Sequence, residues 1–260
     1  MPDHFTDQLA PLPALTAAAM ATSTLRIGAL VWDNDYKHPV VFAKEMATLD
    51  VLSDGRLDLG IGAGWMITDY EQSGIPYESA GTRIDKMIEG IDIMKGCFAQ
   101  GPFSYDGKHY TITNYNGMPK PVQGTCPPIL IGGGGKRVLT YAAKVADIVG
   151  INATMSAGAV GPEAISTMTA EAVDAKVDIV REASGDRITD IEMNIRAFLV
   201  NVTDDADGAI SRLAKGMGVE ESMVANTPFA LMGPPSKLIE DLLARRERWG
   251  FSYVIVGGED

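Results

Sequence analysis

The run Phe42-Ala-Lys-Glu-Met46-Ala-Thr-Leu49-Asp-Val-Leu52-Ser-Asp-Gly55-Arg-Leu57-Asp-Leu-Gly60-Ile-Gly62-Ala-Gly64-Trp65 changes periodicity halfway along its length. Phe42, Met46, Leu49 and Leu52 recur at helical spacing, and His38-Pro39 ahead of them places a proline in the first helical turn. Gly55 stands where the C′ residue that ends a helix belongs. Arg56 to Gly62 then reads as a buried strand that feeds a glycine-rich turn. One helix, one turn and one strand in this order make the unit of a parallel α/β sheet.

The same alternation extends in both directions. Upstream, Ala14 to Thr22 reads as a helix and Leu25 to Trp32 as a buried strand. Downstream, Ile84, Ile88 and Ile91 mark a helix that ends near Phe98. Residues 102–122 interrupt the pattern: Asp106-Gly107 between short β-prone runs predicts a hairpin laid on the barrel surface. Alternation resumes with strand Pro128–Ile131, helix Arg137–Val145, strand Asp147–Ile151 and a helix presenting Val173, Val177 and Val180. A long strand Glu192–Val202 follows, then a helix with Ile210, Leu213 and Met217 inward, a helix through Leu238 and Leu242, and strand Tyr253–Val256. The reading is one α/β domain over 1–260 with six barrel-type strands, two short of a closed eight-stranded barrel.

Composition narrows the function. The 260 residues carry a formal charge of −12, which excludes a general phosphate-backbone binder. Arg245, Arg246 and Arg248, broken by Glu247, read as a solvated helix face. Cys97 and Cys126 fit no metal spacing, and His4, His38 and His109 lack partners at ligand spacing, so no metal site is expected. No apolar run is long enough to cross a membrane, and a cytoplasmic protein is expected.

Three motifs carry chemistry. Gly132-Gly133-Gly134-Gly135-Lys136-Arg137 joins a strand to a helix, so its backbone N–H groups and the helix N-terminus suit a phosphate, with Lys136 or Arg137 supplying charge. A carboxylate placed at Gly134 should abolish that binding and spare the fold. Gly60-Ile-Gly62-Ala63-Gly64-Trp65 would let a flat ring lie against backbone at the end of its strand, or would simply turn the chain with Trp65 in the core. Asp3-His4 sets a carboxylate beside a base that titrates near neutrality, or is a frayed terminus.

Taken together, Asp3-His4-Phe5, Thr22 to Gly28, His38-Pro39 with Ala43-Lys44-Glu45, Thr48 to Leu57, Gly60 to Trp65, Pro119 to Val122 and Gly132 to Arg137 resemble the luciferase-like monooxygenase superfamily. The branch they resemble is its coenzyme F420-dependent oxidoreductases. The resemblance implies a TIM (β/α)8-type barrel, here lacking the first two strands and the last helix; a homodimer could cover the surface that leaves open. It implies a redox ring near Ala29 to Trp32 and Gly62, Ala63, Gly64 and Trp65, with a non-prolyl cis peptide common at the end of the strand containing Val31. It implies a cofactor phosphate on Gly132 to Gly135 with Lys136 or Arg137, His4 as general acid/base, and Asp3 positioning it. Met66 and Asp69 depart from the Asn and Glu frequent at those places. The cofactor implied is F420, with a hydride passing between it and a small organic substrate. FMN in a monooxygenase is the alternative, and a catalytically inactive truncated cofactor-binding protein is the third reading.

Overall fold

The computed structural model describes residues 1–257. They fall into two compact units, Met1–Gly132 and a second beginning at Gly133.

In the first unit helix α1 spans Pro11–Ala21, strands β1 and β2 span Ile27–Gly28 and Trp32–Asp33, helix α2 spans Pro39–Leu52 and strand β3 spans Leu57–Gly62. Helices α3, Ile67–Ser73, and α4, Ala80–Phe98, follow, then strands β4, Phe103–Asp106, β5, Thr111–Tyr115, and β6, Ile129–Gly133. β3 pairs in parallel with β1, β2 and β6, and five of its six residues are buried, as a strand covered on both faces requires. Leu25–Trp32 is not one strand. The register against β3 advances by one residue between the Gly28–Asp58 and Trp32–Ile61 pairings, and the Leu30–Val31 peptide between them is cis.

α2 starts as its sequence requires: His38 Nδ1 accepts the Val40 N–H at 3.3 Å, ahead of Pro39. It ends one residue earlier than expected. Asp54 N–H reaches Val51 O at 3.2 Å and Gly55 N–H reaches Asp50 O at 2.9 Å, so Asp54, at φ 55°, takes the left-handed C′ place and Gly55 the next. On α4 the fully buried stripe runs through Met87, Ile91 and Met94, leaving Ile84 and Ile88 half-buried. The hairpin is present as antiparallel β4 and β5. Its turn hangs on Glu89, whose carboxylate accepts N–H bonds from Lys108, His109 and Tyr110 at 2.8–3.1 Å.

In the second unit helix α5 spans Lys136–Val145, strand β7 Ile148–Ile151, helix α6 Pro162–Ser166 and helix α7 Ala170–Ser184. Strands β8, Glu192–Ala197, and β9, Leu199–Val202, precede helices α8, Ala206–Met217, and α9, Glu221–Asn226. Strand β10, Ala230–Gly233, helix α10, Pro235–Trp249, and strand β11, Phe251–Val256, complete it. β8 lies between β7 and β11, parallel to both. The long strand expected over Glu192–Val202 breaks at Phe198, whose N–H donates to Phe229 O at 2.9 Å; beyond it the chain changes partner and β9 pairs with β10. α8 turns Ala209 and Ala214 inward, while Met217 is 41% exposed, against expectation. Arg245 is likewise no solvated residue. It is buried, and its guanidinium holds Pro228 O at 2.8 Å and Ala230 O at 2.5 Å. No helix among the described residues is long and apolar enough to cross a membrane.

Candidate functional site

In the first unit the chain start is tied down. The Met1 amino group donates to Gly28 O at 3.2 Å and Leu30 N–H donates to Met1 O at 2.7 Å. Asp3 and His4 thereby lie beside the C-terminal ends of β2 and β3. The Asp3 carboxylate accepts the Asp33 N–H at 3.2 Å, and burial raises its pKa.

His4 is oriented by a residue that the sequence marked only as a departure. Its Nδ1 lies 2.7 Å from Asp69 Oδ2, so the carboxylate beside the ring belongs to Asp69 rather than to Asp3. Tyr36 OH donates to the same Asp69 oxygen at 3.0 Å, and Phe5 N–H donates to the other at 3.2 Å. Asp69 sits in the first turn of α3, its side chain only 3% exposed, against 20% for His4. The contact engages Nδ1 and leaves Nε2 as the ring nitrogen not bonded to Asp69. Trp65 meets the imidazole edge to face, with centroids 5.4 Å apart.

A second carboxylate closes the end of β2. Asp33 accepts the Asp35 N–H and the Tyr70 hydroxyl, each at 2.9 Å, and burial pushes its pKa up to about 7. Burial next to these carboxylates also raises the pKa of Tyr36 and Tyr70.

The glycines at the end of β3 and just past it face protein. A Cβ at Gly60 would run into Ala29 O, one at Gly62 would lie 2.6 Å from Val31 Cγ2, and one at Gly64, already at φ 73°, would strike Tyr70 Oη and Asp33. Val31 therefore packs over Gly60 and Gly62, and also lies 3.6 Å from where a Cβ on Gly132 would stand. Ala63 and Trp65 are half-buried, and Trp65 O accepts the Tyr77 hydroxyl at 3.1 Å.

The second unit's share of the glycine run is packed differently. At Gly133 a Cβ would press on the Val138 side chain at 2.6 Å, and at Gly134 it would run into the carbonyls of Asn152 and Ala153. Gly134→Asp would therefore disturb the fold, contrary to expectation. At Gly135 nothing lies within 4 Å of that position, and its φ of −88° suits any residue. Gly135 is the N-cap of the ten-residue α5 and has no side chain with which to cap it, and Lys136 and Arg137 are exposed. The first N–H groups of a helix and the positive end of its dipole attract an anion.

These features have relatives. The model of the family described as luciferase-like monooxygenase matches residues 1–253. An FMNH2-dependent dimethylsulfone monooxygenase of Pseudomonas putida is 26% identical over 184 residues, covering 71% of this chain and 47% of that protein. The chain thus spans about half the length of the curated relatives it matches. Among solved structures, the coenzyme F420-dependent tetrahydromethanopterin reductase of Methanopyrus kandleri superposes with a TM-score of 0.78 at 20% identity, covering 99% of this chain and 84% of that one. An F420-dependent secondary alcohol dehydrogenase, in complex with an F420–acetone adduct, gives 0.76 at 19% identity, covering 98% and 82%. The fold is of the α/β, TIM-barrel type these proteins share, and this chain belongs to the luciferase-like monooxygenase family.

Proposed function

We propose that the chain serves an oxidoreductase that binds a phosphorylated flavin-type cofactor, coenzyme F420 in the first instance, and reduces or oxidises a small organic substrate. The observation that carries the reading is the open position at Gly135, the side-chain-free N-cap of α5. A phosphate suits this donor set: backbone N–H groups, a helix N-terminus, and the side chains of Lys136 and Arg137. Solved structures named for F420 and a relative named for FMNH2 support a flavin-type cofactor.

When bound, the deazaflavin supplies a two-electron hydride carrier. The chain's own residues supply the rest. The turn at Gly132–Arg137 holds the phosphate. Val31, Gly62, Ala63, Gly64 and Trp65 serve the ring, Val31 through its side chain, Gly62 by admitting Val31 and Gly64 by admitting Tyr70 and Asp33. His4 exchanges a proton with substrate at Nε2, while Asp69 keeps the Nδ1 proton in place and stabilises the imidazolium when it forms. Asp3 holds the backbone at Asp33, beside its chain neighbour His4.

FMN is the second reading, favoured by the FMNH2-dependent relative. Titrating the purified protein with each cofactor separates the two. Tight F420 binding with substrate-dependent bleaching of the deazaflavin supports the proposal, and tight FMN binding without deazaflavin binding reverses the order. Binding of neither overturns it.

A further inference from the structure

We propose that Lys176 is a positioning residue of the anion-binding turn: its ammonium bolts together both ends of the segment 152–167, whose first residues form the wall behind Gly134. The inference rests on the reading of that turn as a phosphate site and deepens it.

Lys176 lies on α7 and is 5% exposed. Its Nζ donates to Asn152 O and to Thr167 O, each at 2.7 Å. No carboxylate pairs with it among the described residues, and desolvation pushes its pKa down to about 8. A buried unpaired ammonium is a costly way to join two carbonyls that a neutral amide could join, so its place calls for a reason beyond packing.

The bonds around it supply one. Asn152 O, which Lys176 grips, and Ala153 O fill the space beside Gly134. Asn152 N–H donates to Gly133 O at 3.0 Å, and the Thr154 hydroxyl donates to Gly134 O at 3.0 Å. Thr154 N–H in turn donates to Thr167 Oγ1 at 2.9 Å, and Thr167 O closes the circuit on Lys176. With the carbonyls of Gly133 and Gly134 held from this side, the peptide planes of the turn are fixed, and so is the aim of the N–H groups that follow. A positive charge held in the same wall also favours an anion at the turn.

The test compares FMN with riboflavin, and F420 with the deazaflavin lacking its phosphate, using whichever pair the wild type binds. Calorimetry on Lys176→Met should show the phosphorylated form weakened by about tenfold or more, and the unphosphorylated form unchanged within about twofold. Lys176→Gln, which keeps a donor without the charge, should recover part of the loss. Hydrogen exchange at Asn152 and Thr154 should quicken in Lys176→Met without any ligand. If that variant does not fold, Thr154→Val removes only the hydroxyl bond to Gly134 O and carries the same expectation. Equal weakening of both forms, or of neither, overturns the inference. Gly135→Asp, run in parallel, separates the two claims: a wild type with no preference for the phosphorylated form ends both. A preference abolished by Gly135→Asp but untouched at Lys176 or Thr154 ends only this one.

Discussion

Two strands of this chain run out into glycine-rich stretches that look alike as sequence, Gly60 to Gly64 at the end of β3 and Gly132 to Gly135 at the end of β6, and their glycines serve different ends. In the first stretch the space at each glycine is taken by protein: Ala29 O, Val31, Tyr70 and Asp33. Those glycines admit neighbouring chain and hold the end of β2 against β3. In the second turn Gly133 and Gly134 also meet protein, but Gly135 opens on free space at the helix start. A glycine run therefore reports close approach, and the structure decides whether the approaching partner is the protein itself or a ligand.

The contrast breaks most readily at the closed end. Gly60→Ala should destabilise by about 1–3 kcal/mol, because its methyl meets a backbone carbonyl that cannot rotate away. Gly135→Ala should stay within about 0.5 kcal/mol, so equal losses in urea titrations of the two variants would erase the distinction. Asp69→Asn should lower turnover by about 10²-fold and alter the pH–rate profile, since His4 loses the charge at Nδ1 while the fold keeps a near-isosteric side chain. An unchanged rate in a folded variant would remove the pair from the chemistry.

A smaller effect concerns Asp33. Its folded pKa is raised to about 7, above the unfolded value, so its contribution to stability is complete at acid pH and is lost as pH rises through about 7. Asp33→Asn keeps an acceptor for Asp35 N–H and a partner for Tyr70 OH but cannot ionise. The wild type should therefore lose melting temperature between pH 5 and pH 8, and the variant should lose less. Parallel curves would mean that Asp33 is not the group responsible.

Much of the architecture is legible in the sequence because parallel strands buried on both faces leave short, nearly continuous apolar runs such as Leu57–Gly62 and Ile148–Ile151. Boundaries fail where a tertiary partner changes. Phe198 ends β8 only because the chain beyond it takes up β10, a strand hidden in Phe229–Gly233 with no alternation to mark it. The helical readings fail where alanine or arginine does the burying, as at Ala214 and Arg245. Of the proposed site, the glycine turn and His4 are the parts a sequence can nominate, being local motifs. Asp69, Tyr36 and Lys176 cannot, because their partners lie 65, 33 and 24 residues away in sequence. No spacing rule connects a carboxylate on α3 to an imidazole near the chain start.

The account turns on the second glycine turn holding a phosphate, and one calorimetric comparison addresses it. Wild type and Gly135→Asp are each titrated with a phosphorylated ring and its phosphate-free counterpart, for both the flavin and the deazaflavin. The wild type should bind the phosphorylated member of one pair more tightly by about tenfold or more, and a carboxylate at 135 should erase the difference while the melting temperature holds or rises, Asp being a good N-cap. Equal affinity for both members in the wild type, or a preference that survives the substitution, would contradict the phosphate reading.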